Sequence, residues 1–320
     1  MEMDRENRER ELISIVSYLY YYADMNQSDI ADRLFLSRST VSRIIKKARQ
    51  SGAVEIKINE PWDRDLEMED IVKTTFSVDS VRVLRPESDK PEQDLRSLGK
   101  MASYYLSCNL KHNSVLGLSW GNTVAHVVDS ITNNENITFT VVPIMGSNNW
   151  PSTNPENVSL SYRFSRIYGG RYFPLDAPLY AVNQEQYDEL TNRLANTEAL
   201  NVARKANMIL TSVGSIRTQS WKDVLGMERL QRLCDIGCVG HIGGHFFDIS
   251  GREIDGHYKN MLIGLTLTEI KQTNNVVCVA ADSEKAKAVY GAIRGKLINT
   301  LMITSPLATK LLEIAGQRTL

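Results

Sequence analysis

Apolar residues recur at helical spacing at Leu12, Ile15, Val16, Leu19 and Tyr22, and again at Ile30, Leu34, Val41, Ile44 and Ile45. This pattern predicts a supporting helix followed by two short helices that share one core. Ala31 supplies a small side chain where two helices cross closely. Phe35 occupies the turn between them, where glycine is common, and is expected to pack as a small plug. Beyond Gly52 the alternation Val54, Glu55, Ile56, Lys57, Ile58 predicts a short strand beside the helices, ended by Pro61. Met68, Val72 and Phe76 then stripe a short helix that links domains, pairs with a second chain or packs within its own.

From about Val81 the pattern changes to apolar runs alternating with helical segments. The runs are Val115–Leu118, Thr138–Ile144, Met208–Val213, Val276–Ala280 and Leu301–Thr304. Helices are expected around Asp94–Cys108, Thr123–Ile131, Glu185–Leu194, Lys222–Cys234, Glu284–Ile293 and Leu307–Ile314. Such alternation predicts an α/β fold with a largely parallel sheet. The expected organisation is a helix-turn-helix domain over 1–60, with or without a wing, a linker helix over 61–80, and an α/β effector-binding domain over 81–320.

The polar positions of the third helix carry the first candidate chemistry. Ser37 is the expected N-cap, and the face opposite the core presents Arg38, Ser39, Thr40, Ser42 and Arg43 to base edges in a major groove. Arginine pairs bidentately with guanine, and hydroxyls serve bases or phosphates. Lys46, Lys47 and Arg49 continue the helix with no acid between them, as phosphate neutralisation requires, and Gln27 opens the preceding helix. Together these make double-stranded DNA the expected partner.

A net charge of −1 over 320 residues excludes a basic coat protein and leaves the positive charge local. No run approaches the roughly 20 apolar residues that span a bilayer, and the charged start lacks a signal-peptide core, so a cytoplasmic location is expected. Four cysteines are too few for a disulfide framework. Cys234, Cys238, His241 and His245 invite a zinc reading, but zinc sites show tighter paired knuckles, and the intervening glycines suit a flexible loop. No metal or cofactor is therefore expected.

In parallel sheets, ligands bind outside the carboxyl ends of strands. The loop from Gly117 to Thr123 follows one strand and opens a helix, so its backbone N–H groups and the Ser119 and Thr123 hydroxyls suit an anion; an ordinary capped helix with Trp120 in the core is the alternative. In the loop from Ala281 to Lys285, a lysine in the first helical turn opposes the helix dipole, a conflict an anionic ligand resolves and a solvent-pointing lysine avoids. The stretch Gly237–Asp248 is glycine-dense enough for backbone to approach a ligand.

Over nearly its whole length the chain resembles the SorC family of bacterial transcriptional regulators. The motifs that carry the likeness are the helix-turn-helix, GLSWGNT, GCVGHIGGHFFDISG and the closing VCVAADSEKAKAVYGAIRGKLINTLMITSPLA. The resemblance implies a phosphosugar-sensing domain similar to sugar-phosphate isomerases and deaminases, assembled as a homo-oligomer, dimeric or more commonly tetrameric. It makes Ser119, Gly121, Asn122 and Thr123 the phosphate loop and Lys285 an effector contact. His241 stands where the family pattern has Asp, and Ala281 and Asp282 replace a glycine pair. A histidine at 241 donates to a phosphate or hydroxyl, with protonation sensitive near neutral pH, or packs without a ligand role.

The expected function is a DNA-binding regulator, not an enzyme, whose operator affinity responds to a phosphorylated sugar or polyol. The rival reading is a phosphosugar isomerase or deaminase. Asp235, Asp248, Asp255 and His257 are its nominees, but none sits in a catalytic motif, and Asp248 and Asp255 suit the turns at Gly251 and Gly256.

Overall fold

The computed structural model describes residues 2–54, 62–86, 91–131, 137–148, 159–216, 225–254 and 260–316. The chain divides into two units, Met1–Pro61 and Trp62–Leu320.

In the smaller unit, helix α1 (Glu2–Ser17) runs into a π-helical turn at Tyr18–Tyr22, followed by α2 (Gln27–Leu34) and α3 (Arg38–Gln50). Ile13, Val16, Leu19, Ile30, Ala31, Val41, Ile44, Ile45 and Ala48 form its core. Burying these side chains drives the packing of helices too short to be stable alone. The first helix differs from its predicted phase. Ile13 is buried, whereas Ile15 and Tyr22 are exposed. Ile15 lies in the α-helical part, where Ile13 and Val16 face the core and leave it outside; Tyr22 is displaced by the π turn, in which Ala23 N–H bonds Tyr18 C=O five residues back. Tyr22 leaves the core and stacks on Tyr18 at 5.0 Å.

Phe35 is not a plug. It caps α2 in the left-handed conformation, φ 57°, with its ring 96% exposed. The helix end requires that conformation for the Leu36 N–H to reach the Ala31 carbonyl at 2.9 Å, and it turns the side chain outward. Of the strand expected over Val54–Ile58, residues 55–58 lie outside the described residues.

The larger unit is built on a seven-stranded parallel sheet. Its strands are β1 (Ser80–Leu84), β2 (Val115–Leu118), β3 (Thr140–Pro143), β4 (Arg171–Tyr172), β5 (Met208–Thr211), β8 (Asn275–Ala280) and β9 (Thr300–Thr304). They lie in the order β1-β9-β8-β5-β2-β3-β4. Strand alternation splits the interior in two. Val276, Cys278 and Ala280 face one core with Ile209, Leu301 and Ile303, while Val277 and Val279 face the other with Met208, Leu210 and Met302. Burial on both faces explains the continuous apolar runs. Helices α5 (Pro91–Asn109), α6 (Asn122–Asp129) and α7 (Leu160–Tyr168) cover the second face. The first is covered by α4 (Leu66–Phe76), α8 (Gln184–Asn192), α9 (Leu194–Ala203), α10 (Met227–Asp235), α11 (Leu267–Gln272), α12 (Ala286–Arg294) and α13 (Ser305–Gly316).

The helix anticipated between 61 and 80 is α4, and it lies within this unit. Val72 is fully buried. Glu69 is held by Arg64 through two bonds of 2.9 and 2.6 Å and accepts the Val83 N–H at 2.9 Å, which fastens α4 to β1.

The stretch Gly237–Asp248, read from sequence as a flexible loop, is largely an antiparallel hairpin of β6 (Cys238–Ile242) and β7 (His245–Asp248). Gly243 and Gly244 form its two-residue turn with φ of 57° and 87°, the pair of positive values a type I′ turn demands.

After β2 the chain proceeds outward to β3 and β4, and after β5 it proceeds the opposite way to β8 and β9. The carboxyl ends of β2 and β5 therefore flank the switch point where such sheets open a crevice.

Candidate functional site

Two surfaces carry the candidate chemistry, one in each unit. In the smaller unit, Asn26 caps α2 by accepting from Ser28 and Asp29 N–H, both at 3.0 Å. Ser37 caps α3 by accepting from Thr40 N–H at 3.1 Å, as its place in the sequence predicts. The Ser37 hydroxyl also bonds those of Ser39 and Thr40, each at 2.8 Å. With Val41, Ile44, Ile45 and Ala48 turned into the core, Arg38, Ser39, Ser42, Arg43, Lys46, Lys47 and Arg49 are exposed along the other side of α3, and Thr40 and Gln27 are half-buried. Lys47 is not wholly available: its ammonium meets Glu9 at 2.5 Å, tying α3 to α1. The remaining cations of α3 make no ion pair among the described residues, so the surface is a cationic strip on a rigid helix.

In the larger unit, the loop after β2 reaches the switch point. Ser119 is 3% exposed, and its hydroxyl has no hydrogen-bond partner among the described residues. An unpaired buried hydroxyl costs roughly 1–3 kcal/mol, which a ligand atom would recover. Trp120 donates its indole N–H to the Gly146 carbonyl at 2.8 Å, pinning the loop. Gly121 sits at φ 141°, a conformation only glycine adopts readily, and it caps α6 without a side-chain bond. The N–H groups of the first turn, including Asn122 and Thr123, are consequently left open, and the helix dipole adds positive potential there. Thr123 is buried and Asn122 exposed.

The loop after β5 contributes Gly214, which exchanges backbone bonds with His241 of β6 at 3.0 and 3.1 Å. A Cβ on Gly214 would lie 2.2 Å from His241 Nε2, so the imidazole rests directly on the glycine. Burial pushes the His241 pKa down to about 3, and the nearby charge of Lys285 acts in the same direction. The expectation of a histidine poised near neutral pH is therefore corrected: His241 is neutral there, a donor at one ring nitrogen and an acceptor at the other.

Lys285 ends the 3-10 turn Ser283–Lys285 that follows β8 and leads into α12. Burial pulls its pKa below the ordinary value, opposed by the Cys278 thiol and the Asp282 carboxylate. Burial likewise raises the Cys278 thiol to about 11. Asp282 does not point at a ligand; it accepts the Glu284 N–H at 2.8 Å and shapes the turn. The three loops thus converge chemically, with open N–H groups and a buried hydroxyl after β2, a neutral imidazole laid on the loop after β5, and a partly desolvated ammonium after β8.

The Cys–His quartet does not form one site. His245 is 3% exposed, and both of its ring nitrogens are engaged, Nδ1 with Glu253 at 2.6 Å and Nε2 with the Leu265 carbonyl at 2.8 Å. Among the described residues no group of three or more His, Cys, Asp or Glu side chains is placed to hold a metal. The enzymatic nominees have structural partners. Asp248 accepts Ser250 N–H and hydroxyl at 2.8 and 2.6 Å and shapes the turn at Gly251. Burial pushes its carboxyl up, but the Ser250 and Arg252 hydrogen bonds outweigh this and hold it below the usual range. Asp235 accepts from Gln231 at 2.8 Å. Asp255 and His257 lie outside the described residues.

Sequence reasoning passed over Gly214, whose need for glycine becomes visible only when β6 is seen crossing it, and Gly146, the acceptor for Trp120. Neither carries a local signal.

The family described as "Putative sugar-binding domain" matches residues 60–313, and "Sigma-70, region 4", a DNA-binding helical module, matches residues 7–51. The chain is 26% identical over 313 residues to the sorbitol operon regulator of Klebsiella pneumoniae, covering 94% of this chain and 98% of the relative. It is 24% identical over 312 residues to the deoxyribonucleoside regulator of Bacillus subtilis, covering 96% and 99%. The crystal structure of the full-length Klebsiella sorbitol operon regulator shares the fold, with a TM-score of 0.74 at 24% identity, covering 94% of this chain and 98% of that one. Among the described residues no helix is long and apolar enough to cross a membrane.

Proposed function

Given that the chain belongs to the SorC family of transcriptional regulators, with a helix-turn-helix and a sugar-binding effector domain, we propose the division of labour that follows. Arg38, Ser39, Thr40, Ser42 and Arg43 read an operator, with Gln27, Ser37, Lys46, Lys47 and Arg49 supporting them at the backbone. Ser119, Gly121, Asn122 and Thr123 hold the phosphate of a phosphorylated sugar or polyol, while Lys285 and His241 meet its charge and hydroxyls. The protein works in the cytoplasm as a homo-oligomer, dimeric or tetrameric, gripping paired half-sites. The effector shifts it between DNA-competent and DNA-weak states by binding one more tightly than the other.

The observation that supports this reading best is the buried, unpartnered Ser119 hydroxyl beside the open N-terminus of α6. It is the arrangement an oxyanion completes. The test is a thermal-shift screen of phosphorylated sugars and polyols on wild type and Ser119→Ala. A ligand that binds the folded state raises the unfolding temperature, and the variant is expected to fold normally yet need about tenfold more ligand for the same shift. Equal shifts in both proteins would remove Ser119 from the site, and no shift with any phosphorylated compound would remove the phosphate.

A further inference from the structure

With His245 committed to Glu253 and Leu265, and His241 laid on Gly214, two members of the Cys–His quartet remain together: Cys234 and Cys238 are both half-buried and line one open cleft of about 670 Å³. Neither is in a disulfide. Cys234 sits in the last turn of α10, and the chain reverses immediately after it. The Gly237 N–H bonds the Cys234 carbonyl at 3.0 Å, and Gly237 takes φ 88°, a left-handed value that lets the chain double back within three residues. A four-residue turn of this kind keeps its end Cα atoms, here those of Cys234 and Gly237, within roughly 7 Å, and Cys238 follows one residue later as the start of β6, so the two thiols flank one chain reversal on the same cleft.

The pairing register of β6 shifts between Cys238 and Gly240, a bulge that sets Cys238 apart from the regular ladder of Gly240, His241 and Ile242. The other walls of the cleft include Ser283 and Glu284, the residues immediately before Lys285.

We propose that Cys234 and Cys238 are a peroxide-oxidisable dithiol that gives this regulator a second, covalent input. One thiolate sulfur attacks the O–O bond of a hydroperoxide. An S–O bond forms, the O–O bond breaks, and the departing oxide takes a proton to leave as water or alcohol. The second thiol then attacks that sulfur, forming the S–S bond and expelling water. Two thiols are oxidised and one hydroperoxide is reduced. The disulfide draws the first residue of β6 toward the end of α10, three residues before His241. The existence of the disulfide is independent of the effector assignment; only its consequence for the crevice rests on that reading.

The test treats the full-length protein with hydrogen peroxide, counts free thiols under denaturing conditions, and maps peptides. Two of the four thiols are expected to disappear, with a peptide carrying both Cys234 and Cys238 lighter by two hydrogens, on a chain that remains unlinked to others on a non-reducing gel. Cys238→Ser is expected to lose this product while Cys108 and Cys278 react as before. Four surviving thiols, oxidation confined to Cys108, or only over-oxidised sulfur at 234 and 238 would overturn the dithiol. Operator binding is then measured for reduced and oxidised protein without and with added phosphorylated sugars. A shift of either binding curve, reversed by a reductant, is expected. A mapped disulfide that leaves both curves unchanged would overturn the regulatory input, whereas a sugar screen that fails while the disulfide forms would count against the effector reading alone.

Discussion

At the scale of single residues, the proposed effector crevice is bordered by a histidine that has surrendered its usual titration. His241 rests on Gly214, and its pKa of about 3 compares with an ordinary 6.5. Between those values the unfolded chain binds a proton that the native chain refuses, so stability is full above about pH 6.5 and declines as pH falls toward 3. From about pH 7 to about pH 5 the loss attributable to this one side chain is expected to be about 1 to 2 kcal/mol. Urea unfolding of wild type and His241→Gln at the two pH values checks it: the variant should lose less, and equal losses would mean the imidazole is not protected. The same neutrality carries a functional consequence, because effector binding should show no inflection near pH 6.5 from this residue. Glutamine in its place keeps a donor and an acceptor but never titrates, which makes it the informative substitution.

At the scale of elements, attachment of α4 to β1 shows how a polar contact is made inside an apolar unit. Arg64 and Glu69 are both largely buried, form a two-bond pair, and share it with the Val83 N–H. Such a pair adds little net stability over apolar packing, but removing one partner strands a charge. Arg64→Ala is therefore expected to cost about 3 kcal/mol, and Arg64→Ala combined with Glu69→Leu distinctly less than the sum of the single changes. Denaturant unfolding of the four proteins of that cycle measures it, and strict additivity would show the pair to be uncoupled. The π turn at Tyr18–Tyr22 makes the complementary point. Helical spacing in the sequence places Val16 and Leu19 correctly, takes Ile15 in place of Ile13, and misplaces Tyr22, where the five-residue bond changes the helical phase.

At the scale of the molecule, the chain pairs a small helical reader with a large ligand-binding unit. A core of nine buried residues supports the reader only marginally by itself, so affinity for DNA is expected to come from two readers acting together. A duplex carrying a single half-site should bind at least about tenfold more weakly than one carrying two half-sites whose centres lie one helical turn, or a multiple of it, apart. Gel-shift titrations at fixed salt would measure this, and equal affinity for both duplexes would argue for a single reader. Salt must be held constant because cations that neutralise phosphates, the role proposed for Arg38, Arg43, Lys46 and Arg49, would release counterions on binding.

Much of this protein was legible before any coordinates. Periodicities of 3.6 and of continuous apolar runs identified the helix-turn-helix and five strands of the parallel sheet, because those patterns are local consequences of burying one helix face or both sheet faces. The cap at Ser37 was legible for the same reason: it is a contact between near neighbours in the chain. Phe35 was misread because its left-handed cap is a backbone demand that its side chain does not announce. Residues brought together from distant segments left no local trace: the imidazole of His241 on Gly214, Trp120 on Gly146, Lys285 beside Cys278. The sequence by itself determined the elements and the chemistry each loop could offer. Only the tertiary structure decided which loops meet, because the order in which parallel strands are laid side by side is set by long-range packing and not by any pattern within one strand.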